Sequence, residues 1–131
     1  MPLARSVLAV AVGGAAGTAA RVLLEAWIAD WWALLVVNAL GCALLGISVA
    51  VLANAPDWLR HGLGAGVLGG FTTFSAVAVA SVTAGGVSGG WPTLVPALPG
   101  ITVALGMLVV CLLAAWTGLL LGRRLVRERA A

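Results

Sequence analysis

Apolar residues dominate this chain in four long runs, and short polar or turn-forming stretches separate one run from the next. A helix needs roughly 20 mostly apolar residues to cross the hydrocarbon core of a bilayer. Four segments meet this requirement, at residues 6–27, 33–53, 61–85 and 99–122. The pattern predicts an all-α membrane protein, with residues 1–131 forming a single domain of four transmembrane helices.

The stretches between the runs mark the predicted helix ends. Residues 54–57 read NAPD, a turn sequence, and residues 85–99 are rich in Gly, Pro and Ser. Residues 123–131 form a polar tail that is predicted to fray. Tryptophan prefers headgroup depth, and five tryptophans lie near predicted helix ends, at Trp27, Trp31, Trp32, Trp58 and Trp91. Trp116 lies deeper on the fourth helix, where it faces either lipid or a partner.

The composition leaves lipid as the solvent for most of the chain. Hydrophobic residues make up 63% of the 131 residues and charged residues 8%, and the mean hydropathy is +1.16. Soluble domains are typically about 45–50% apolar and about 25% charged. The lipid bilayer is therefore a partner of this chain.

The basic residues of the chain, which are all Arg, form no stripe interleaved with aromatic rings, and this argues against nucleic acid as a second partner.

No set of residues indicates catalysis. Cys42 and Cys111 lie in separate apolar runs without metal-ligand spacing, and they are predicted to be buried, unpaired small hydrophobes. The single histidine, His61, lies at a loop edge, and no nucleophile is placed beside a base. We therefore expect that the protein is not an enzyme.

The arginines are distributed unevenly between the two ends of the predicted bundle. With four spans, the N-terminus, the second loop and the C-terminus share one side of the membrane. That side carries Arg5, Arg60, Arg123, Arg124, Arg127 and Arg129. Loops with excess Arg stay in the cytoplasm. The distribution predicts a multi-pass protein of the plasma (inner) membrane with both termini in the cytoplasm.

Glycines recur at four-residue spacing on three of the predicted helices. In lipid, small residues at this spacing let helix backbones approach closely. The residues concerned are Gly13, Gly17, Gly62, Gly66, Gly70, Gly118 and Gly122. We expect them to lie at helix–helix contacts within the chain or with a second subunit.

Polar groups inside an apolar span are energetically costly, so their presence indicates a structural or functional role. Asn38 on the second helix offers two donors and one acceptor, either for a structural hydrogen bond between helices or for a bound ion. Arg21 is the basic residue nearest to a span interior; it snorkels to the interface, forms an electropositive vestibule that attracts anions, or makes a contact that positions a helix.

The middle of the third helix combines features that weaken a helix. Residues 69–75 read GGFTTFS, with two glycines before two β-branched threonines. A break here releases backbone carbonyls, which is tolerated at membrane depth where they are buried in protein or line a cavity. The same segment supplies three hydroxyls and the electropositive edges of two phenyl rings. It therefore offers carbonyls to a cation and donors to an anion.

Three blocks of this sequence resemble the CrcB/Fluc family of small fluoride channels, in order and over the length of the chain. Residues 13–21 read GGAAGTAAR and resemble the family's first-helix block. Residues 37–41 read VNALG, are followed by Gly46, and resemble its second-helix block. Residues 69–75 resemble its third-helix block.

The resemblance implies an antiparallel dimer of the dual-topology type, with pores that export fluoride passively and so lower its concentration in the cytoplasm. It implies a vestibule arginine, Arg21, and a structural sodium ion held by the backbone carbonyls of Gly69 and Thr72. The fluoride-pore residues that carry over are Asn38, Thr73, Phe74 and Ser75.

Two departures from the family pattern bear on the second subunit. The family usually has a second phenylalanine three residues after Phe74, and this chain has Val77. The fourth helix carries hydroxyls only near its ends, at Thr102 and Thr117. A homodimer of opposed subunits also favours a balanced Arg distribution, which this chain lacks. We therefore favour a heterodimer with a similar chain of opposite orientation over a homodimer.

Two other functions stay open at this point. One is a small multidrug transporter, which needs a carboxylate in mid-membrane on the first helix; Glu25 lies near that helix's end, four residues from Arg21, where an ion pair is favoured. The other is a non-conducting structural partner within a heterodimeric fluoride channel.

Overall fold

The computed structural model describes residues 2–28, 32–84 and 94–130, and the regular elements in these ranges are helical. The predictions for Trp31 and Trp91 fall outside the described residues. The helices are α1 (Pro2–Ile28), α2 (Ala33–Val51), α3 (Asp57–His61), a π-helical segment (Gly62–Leu68), α4 (Gly69–Phe71), α5 (Phe74–Ala84) and α6 (Leu94–Ala130). The elements from α3 to α5 follow one another along a single path, which we call the third span.

Within the described residues, four helical stretches are long and apolar enough to cross a membrane, as the sequence predicts. They are Leu3–Ile28, Ala33–Val51, Asp57–Thr83 and Gly100–Arg129. Only 6% to 28% of the most apolar window of each span is buried within the chain, so most large apolar side chains face outward. Exposed Trp27, Trp32, Trp58 and Trp116 are among them. A surface of this kind requires lipid or another protein around it.

The first and third spans lie side by side and run in the same direction. A Cβ atom placed on Gly66 would lie 3.2 Å from the Cα of Gly13. One turn further along both helices, a Cβ on Gly17 would overlap the Val67 carbonyl and lie 3.0 Å from the backbone nitrogen of Phe71. The glycines let the two backbones approach without intervening side chains, as their spacing predicts.

The second and fourth spans form another parallel pair. A Cβ on Gly118 would lie 3.0 Å from the Cα of Ala43, and one on Gly122 would lie 3.1 Å from the Cα of Ile47. Cys42 and Cys111 belong to these two helices; both are half-buried and neither forms a disulfide. The cysteines are therefore unpaired, as predicted, but less buried than expected.

Two backbone features differ from the expectations. The third span is π-helical over Gly62–Leu68, a glycine-rich stretch that packs against α1. At its end the Gly69 N–H donates to the carbonyls of Gly64 and Gly66. In addition, α6 continues to Ala130, so the prediction of a frayed tail after Gly122 was wrong. The tail consists largely of Arg, Leu, Glu and Ala, which are strong helix formers, and their propensity extends the helix beyond the apolar run.

Because a Cβ on Gly17 would meet backbone atoms and one on Gly106 would meet nothing within 4 Å among the described residues, the two glycines should respond differently to the same change. We expect Gly17→Ala to destabilise the fold by about 1–3 kcal/mol, because the methyl group forces the first and third spans apart. Thermal unfolding of the purified protein in detergent measures this. Gly106→Ala is the matched control and should be neutral or slightly stabilising, since alanine is the better helix former. Equal destabilisation by both changes would contradict the packing described above.

Candidate functional site

The third span is broken at Thr72 and Thr73, as the sequence of residues 69–75 predicts. Thr72 ends α4 in an extended conformation, with φ −79° and ψ 154°, and α5 begins at Phe74. The last bonds before the break are made by Thr72, whose N–H and hydroxyl both donate to the Leu68 carbonyl at 3.0 Å. The break lies within an apolar span, so the backbone groups that it releases need other partners.

Asn38 of α2 supplies one of these partners. The Thr73 N–H donates to the Asn38 Oδ1 at 2.9 Å, and the Asn38 Nδ2 donates to the Leu34 carbonyl at 3.0 Å. Asn38 is 5% exposed and Thr73 is 7% exposed. A buried N–H without an acceptor costs roughly 1–3 kcal/mol, so this bond stabilises the break and fixes α2 against it. Of the two open interpretations of Asn38, the structural hydrogen bond is present.

Thr73 is also the N-cap of α5. Its Oγ1 accepts a hydrogen bond from the Ala76 N–H at 3.2 Å and lies 3.3 Å from the Ser75 Oγ. This is the usual geometry of a threonine N-cap, in which the side-chain oxygen accepts from the third helical N–H. Asn38, Thr73 and Ser75 therefore form one connected polar cluster at the N-terminus of α5. The remaining N–H groups of that first turn and the positive end of the helix dipole both favour an anion.

Gly41, one turn from Asn38, makes this contact possible. A Cβ on Gly41 would overlap the Thr72 methyl group and lie 3.1 Å from the Phe71 ring. The absence of a side chain lets the break approach α2 closely enough for Asn38 to reach Thr73. Gly41 was not among the residues predicted for the site. Its position three residues after Asn38, on the same face of α2, is the sequence feature that indicates its role.

The two phenylalanines of the break point in different directions. The Phe71 ring is buried against α2, whereas the Phe74 ring is 85% exposed. Val77, one turn further along α5, is buried within the chain. Of the predicted pore residues, the chain thus connects Asn38, Thr73 and Ser75, and it directs Phe74 outward.

Arg21 lies on α1, one turn beyond Gly17, which packs against the third span. Its side chain is half-buried, and among the described residues its Nε atom has no hydrogen-bond partner although it is buried. The expected ion pair with Glu25 does not form; within the described ranges the salt bridge is Arg60–Asp57, at 3.7 Å. The four-residue spacing allows the pair but does not enforce it.

The break also releases the two carbonyls that the family resemblance assigns to sodium. In an uninterrupted helix the Thr73 N–H would donate to Gly69, and the Ala76 N–H to Thr72. Here Thr73 donates to Asn38 and Ala76 donates to the Thr73 hydroxyl. Carbonyls of unwound membrane helices are suitable ligands for sodium, so the residues present fit such an ion.

The fold and the site together define a polytopic helical membrane protein with a buried polar cluster at a helix break, an arrangement that lines ion and substrate paths. Comparison with known proteins gives the family. The family described as "CrcB-like protein, Camphor Resistance (CrcB)" matches residues 8–119. The chain belongs to this family.

Relatives of this chain have been named for the ion they carry. The chain is 44% identical to "Fluoride-specific ion channel FluC 1" of Rhodococcus jostii over 110 residues, which cover 81% of this chain and 86% of the relative. It is 36% identical to "Fluoride-specific ion channel FluC" of Pseudomonas putida over 126 residues, covering 89% and 96%. These relatives favour neither the multidrug transporter nor the non-conducting partner, and the family is not an enzyme family.

The cap at Thr73 can be tested without removing the rest of the site. Thr73→Val keeps the shape of the side chain and removes the acceptor for the Ala76 N–H, so we expect a loss of about 1 kcal/mol of stability. Thr73→Ser keeps the oxygen and should lie within about 0.5 kcal/mol of the unmodified protein. Chemical or thermal unfolding in detergent gives both values. If valine is tolerated as well as serine, the cap does not hold α5.

Proposed function

We propose that this chain is a subunit of a fluoride-specific channel, which lets fluoride leave the cell passively and so lowers its cytoplasmic concentration. The observation that carries the proposal is the Asn38 amide. Its oxygen is used by Thr73 and one of its N–H groups by Leu34, so its second N–H remains as a donor. The relatives named as fluoride-specific channels support the same function.

The chemistry of the cluster suits a small, strongly hydrated anion. A selective pore must replace the water around its ion with well-placed protein groups, and must bind weakly enough to release it. The Asn38 N–H, the Ser75 hydroxyl and the positive end of α5 offer such donors, and the cluster contains no carboxylate. Arg21 adds positive charge near the same level of the bundle, where it would attract anions.

A second subunit would complete the path. The donors stand on α2 and α5, while the Phe74 ring projects from the surface of the single chain. The positive edge of that ring suits an anion once another subunit covers it. We infer a dimer in which each pore takes groups from both chains, with sodium held at the break by the carbonyls of Gly69 and Thr72.

The orientation follows from the arginines. Because the first and third spans are parallel and the second and fourth are parallel, Arg5, Arg60 and the Arg-rich end of α6 lie at one end of the bundle. That end belongs on the cytoplasmic side of the cell's inner membrane. The bias is so one-sided that a partner of opposite orientation, encoded by a similar but different gene, fits better than a second copy.

Asn38→Asp places a negative charge at the proposed ion path and keeps an acceptor for the Thr73 N–H, at the loss of the N–H that donates to the Leu34 carbonyl. A unit charge about 4 Å from the ion changes its energy by about 4 kcal/mol at an effective dielectric constant of 20. We expect fluoride efflux from liposomes that contain this chain co-expressed with a family member of opposite charge bias, followed with a fluoride electrode, to fall more than about tenfold. Asn54→Asp makes the same chemical change at an exposed turn and should leave efflux unchanged. Equal efflux from both variants would contradict the assignment of Asn38 to the pore.

The nature of the second subunit needs a separate experiment. We expect weak or no fluoride efflux from liposomes that contain this chain alone, and robust efflux when a family member with the opposite charge bias is co-expressed. Rapid efflux from this chain alone would contradict the heterodimer and leave the fluoride function intact. Purified single-chain protein that is folded and monodisperse by size-exclusion chromatography is the control for the inactive case.

A further inference from the structure

A groove opens at the Arg-rich end of the bundle, between the end of α2 and the last turns of α6. Its volume is about 390 Å³. Apolar side chains form its walls, among them Ala50 and Ala53 from the α2 side and Leu119 and Val126 from α6. Two arginines of α6, Arg123 and Arg127, complete the lining. None of the residues described above for the ion path lies in this groove.

The groove exists because the two helices separate after their last close contact. Gly122 packs against α2 at Ile47 and Ala50. Beyond this point α2 ends at Val51, whereas α6 continues as a helix to Ala130. The small side chains of the α2 side then leave an open space beside the extended α6.

The two arginines stand one turn apart, so their guanidinium groups can act on one ligand. Both are exposed, and neither has a carboxylate within salt-bridge distance among the described residues. The lining of the groove contains no acidic residue. Glu128 follows Arg124 by four residues and so belongs to a different edge of α6. The positive charge beside the groove is therefore not neutralised within the described part of the chain.

The groove lies at the level where lipid headgroups begin. The apolar run of α6 ends at Gly122, immediately before Arg123, and the half-exposed Trp58 belongs to the same end of the bundle. Tryptophan marks headgroup depth. Leu119 reaches into the hydrocarbon region, so the groove extends from apolar walls to a pair of cationic groups, as a phospholipid extends from its acyl chain to its phosphate.

We propose that this groove is a binding site for one anionic phospholipid. An acyl chain lies along Ala50, Ala53, Leu119 and Val126, and the phosphate accepts hydrogen bonds from Arg123 and Arg127. Arginine binds phosphate through two parallel hydrogen bonds, and basic pockets between transmembrane helices bind anionic headgroups. The bound lipid fills the gap between α2 and α6 and so stabilises the helix pair that carries Asn38. The site does not depend on which ion the protein conducts.

The test uses the full chain in detergent, with phosphatidylglycerol or phosphatidylcholine added at increasing concentration. Native mass spectrometry counts bound lipids and gives their dissociation constants. We expect one phosphatidylglycerol to bind roughly tenfold to thirtyfold more tightly than phosphatidylcholine, as two arginines at the headgroup level provide. The double variant R123Q/R127Q should lose this preference.

The matched control is R124Q/R129Q, which removes the same charge from the same helix at positions outside the groove. It should keep the preference for phosphatidylglycerol. A preference that survives in R123Q/R127Q, or that falls equally in both double variants, would overturn the site. So would inorganic phosphate that displaces phosphatidylglycerol at equal concentration, since the apolar walls would then contribute nothing. A groove occupied by a second copy would appear as a dimer that R123Q/R127Q dissociates, and this would also contradict the proposal.

Discussion

The hydrogen bond from the Thr73 N–H to the Asn38 Oδ1 is the interaction on which the rest of the site depends. A helix interrupted within an apolar span leaves backbone groups that lipid cannot satisfy. Asn38 reaches across from the neighbouring helix and accepts the N–H that has lost its carbonyl. The break is therefore a stable feature of the fold, and its consequences for the neighbouring groups follow from this one contact.

Three of those consequences are visible. The carbonyl that Thr73 would otherwise occupy, that of Gly69, becomes available to another ligand. The Thr73 hydroxyl caps the new helix α5, whose positive end then lies beside the Asn38 amide. Gly41 must remain without a side chain, because any Cβ there would displace the break from α2. The same interruption thus leaves carbonyls without helical partners on one side and N–H donors on the other, which are the groups that the proposed sodium and fluoride sites would use.

Much of this could be predicted from the sequence, and the limits have physical reasons. The sequence of residues 69–75 predicts the helix break, because two glycines and two β-branched residues weaken a helix locally. Asn38 is identifiable from the sequence as a candidate site residue, because it is a polar group in an apolar span. Its partner, Thr73, lies 35 residues away, and no local pattern encodes that pairing. The π-helical turns over Gly62–Leu68 likewise depend on how this stretch packs against α1. The end of α6 is polar, and this predicted fraying, but its residues have high helix propensity and continue the helix.

The placement of Phe74 and Val77 supports the proposal that a second subunit completes the ion path. Both residues belong to α5 and are three positions apart, yet Phe74 is 85% exposed and Val77 is 7% exposed. Valine at position 77 fills the interior of the chain and offers no ring, so Phe74 is the aromatic group that this helix presents outward. Lipid can surround the ring, but it cannot pair with the donors beside it, and an unpaired donor is costly in lipid. A second protein surface that supplies both an apolar contact for Phe74 and a path for the ion removes that cost. The donors of the cluster and the exposed ring thus both support the proposed contact with a second subunit.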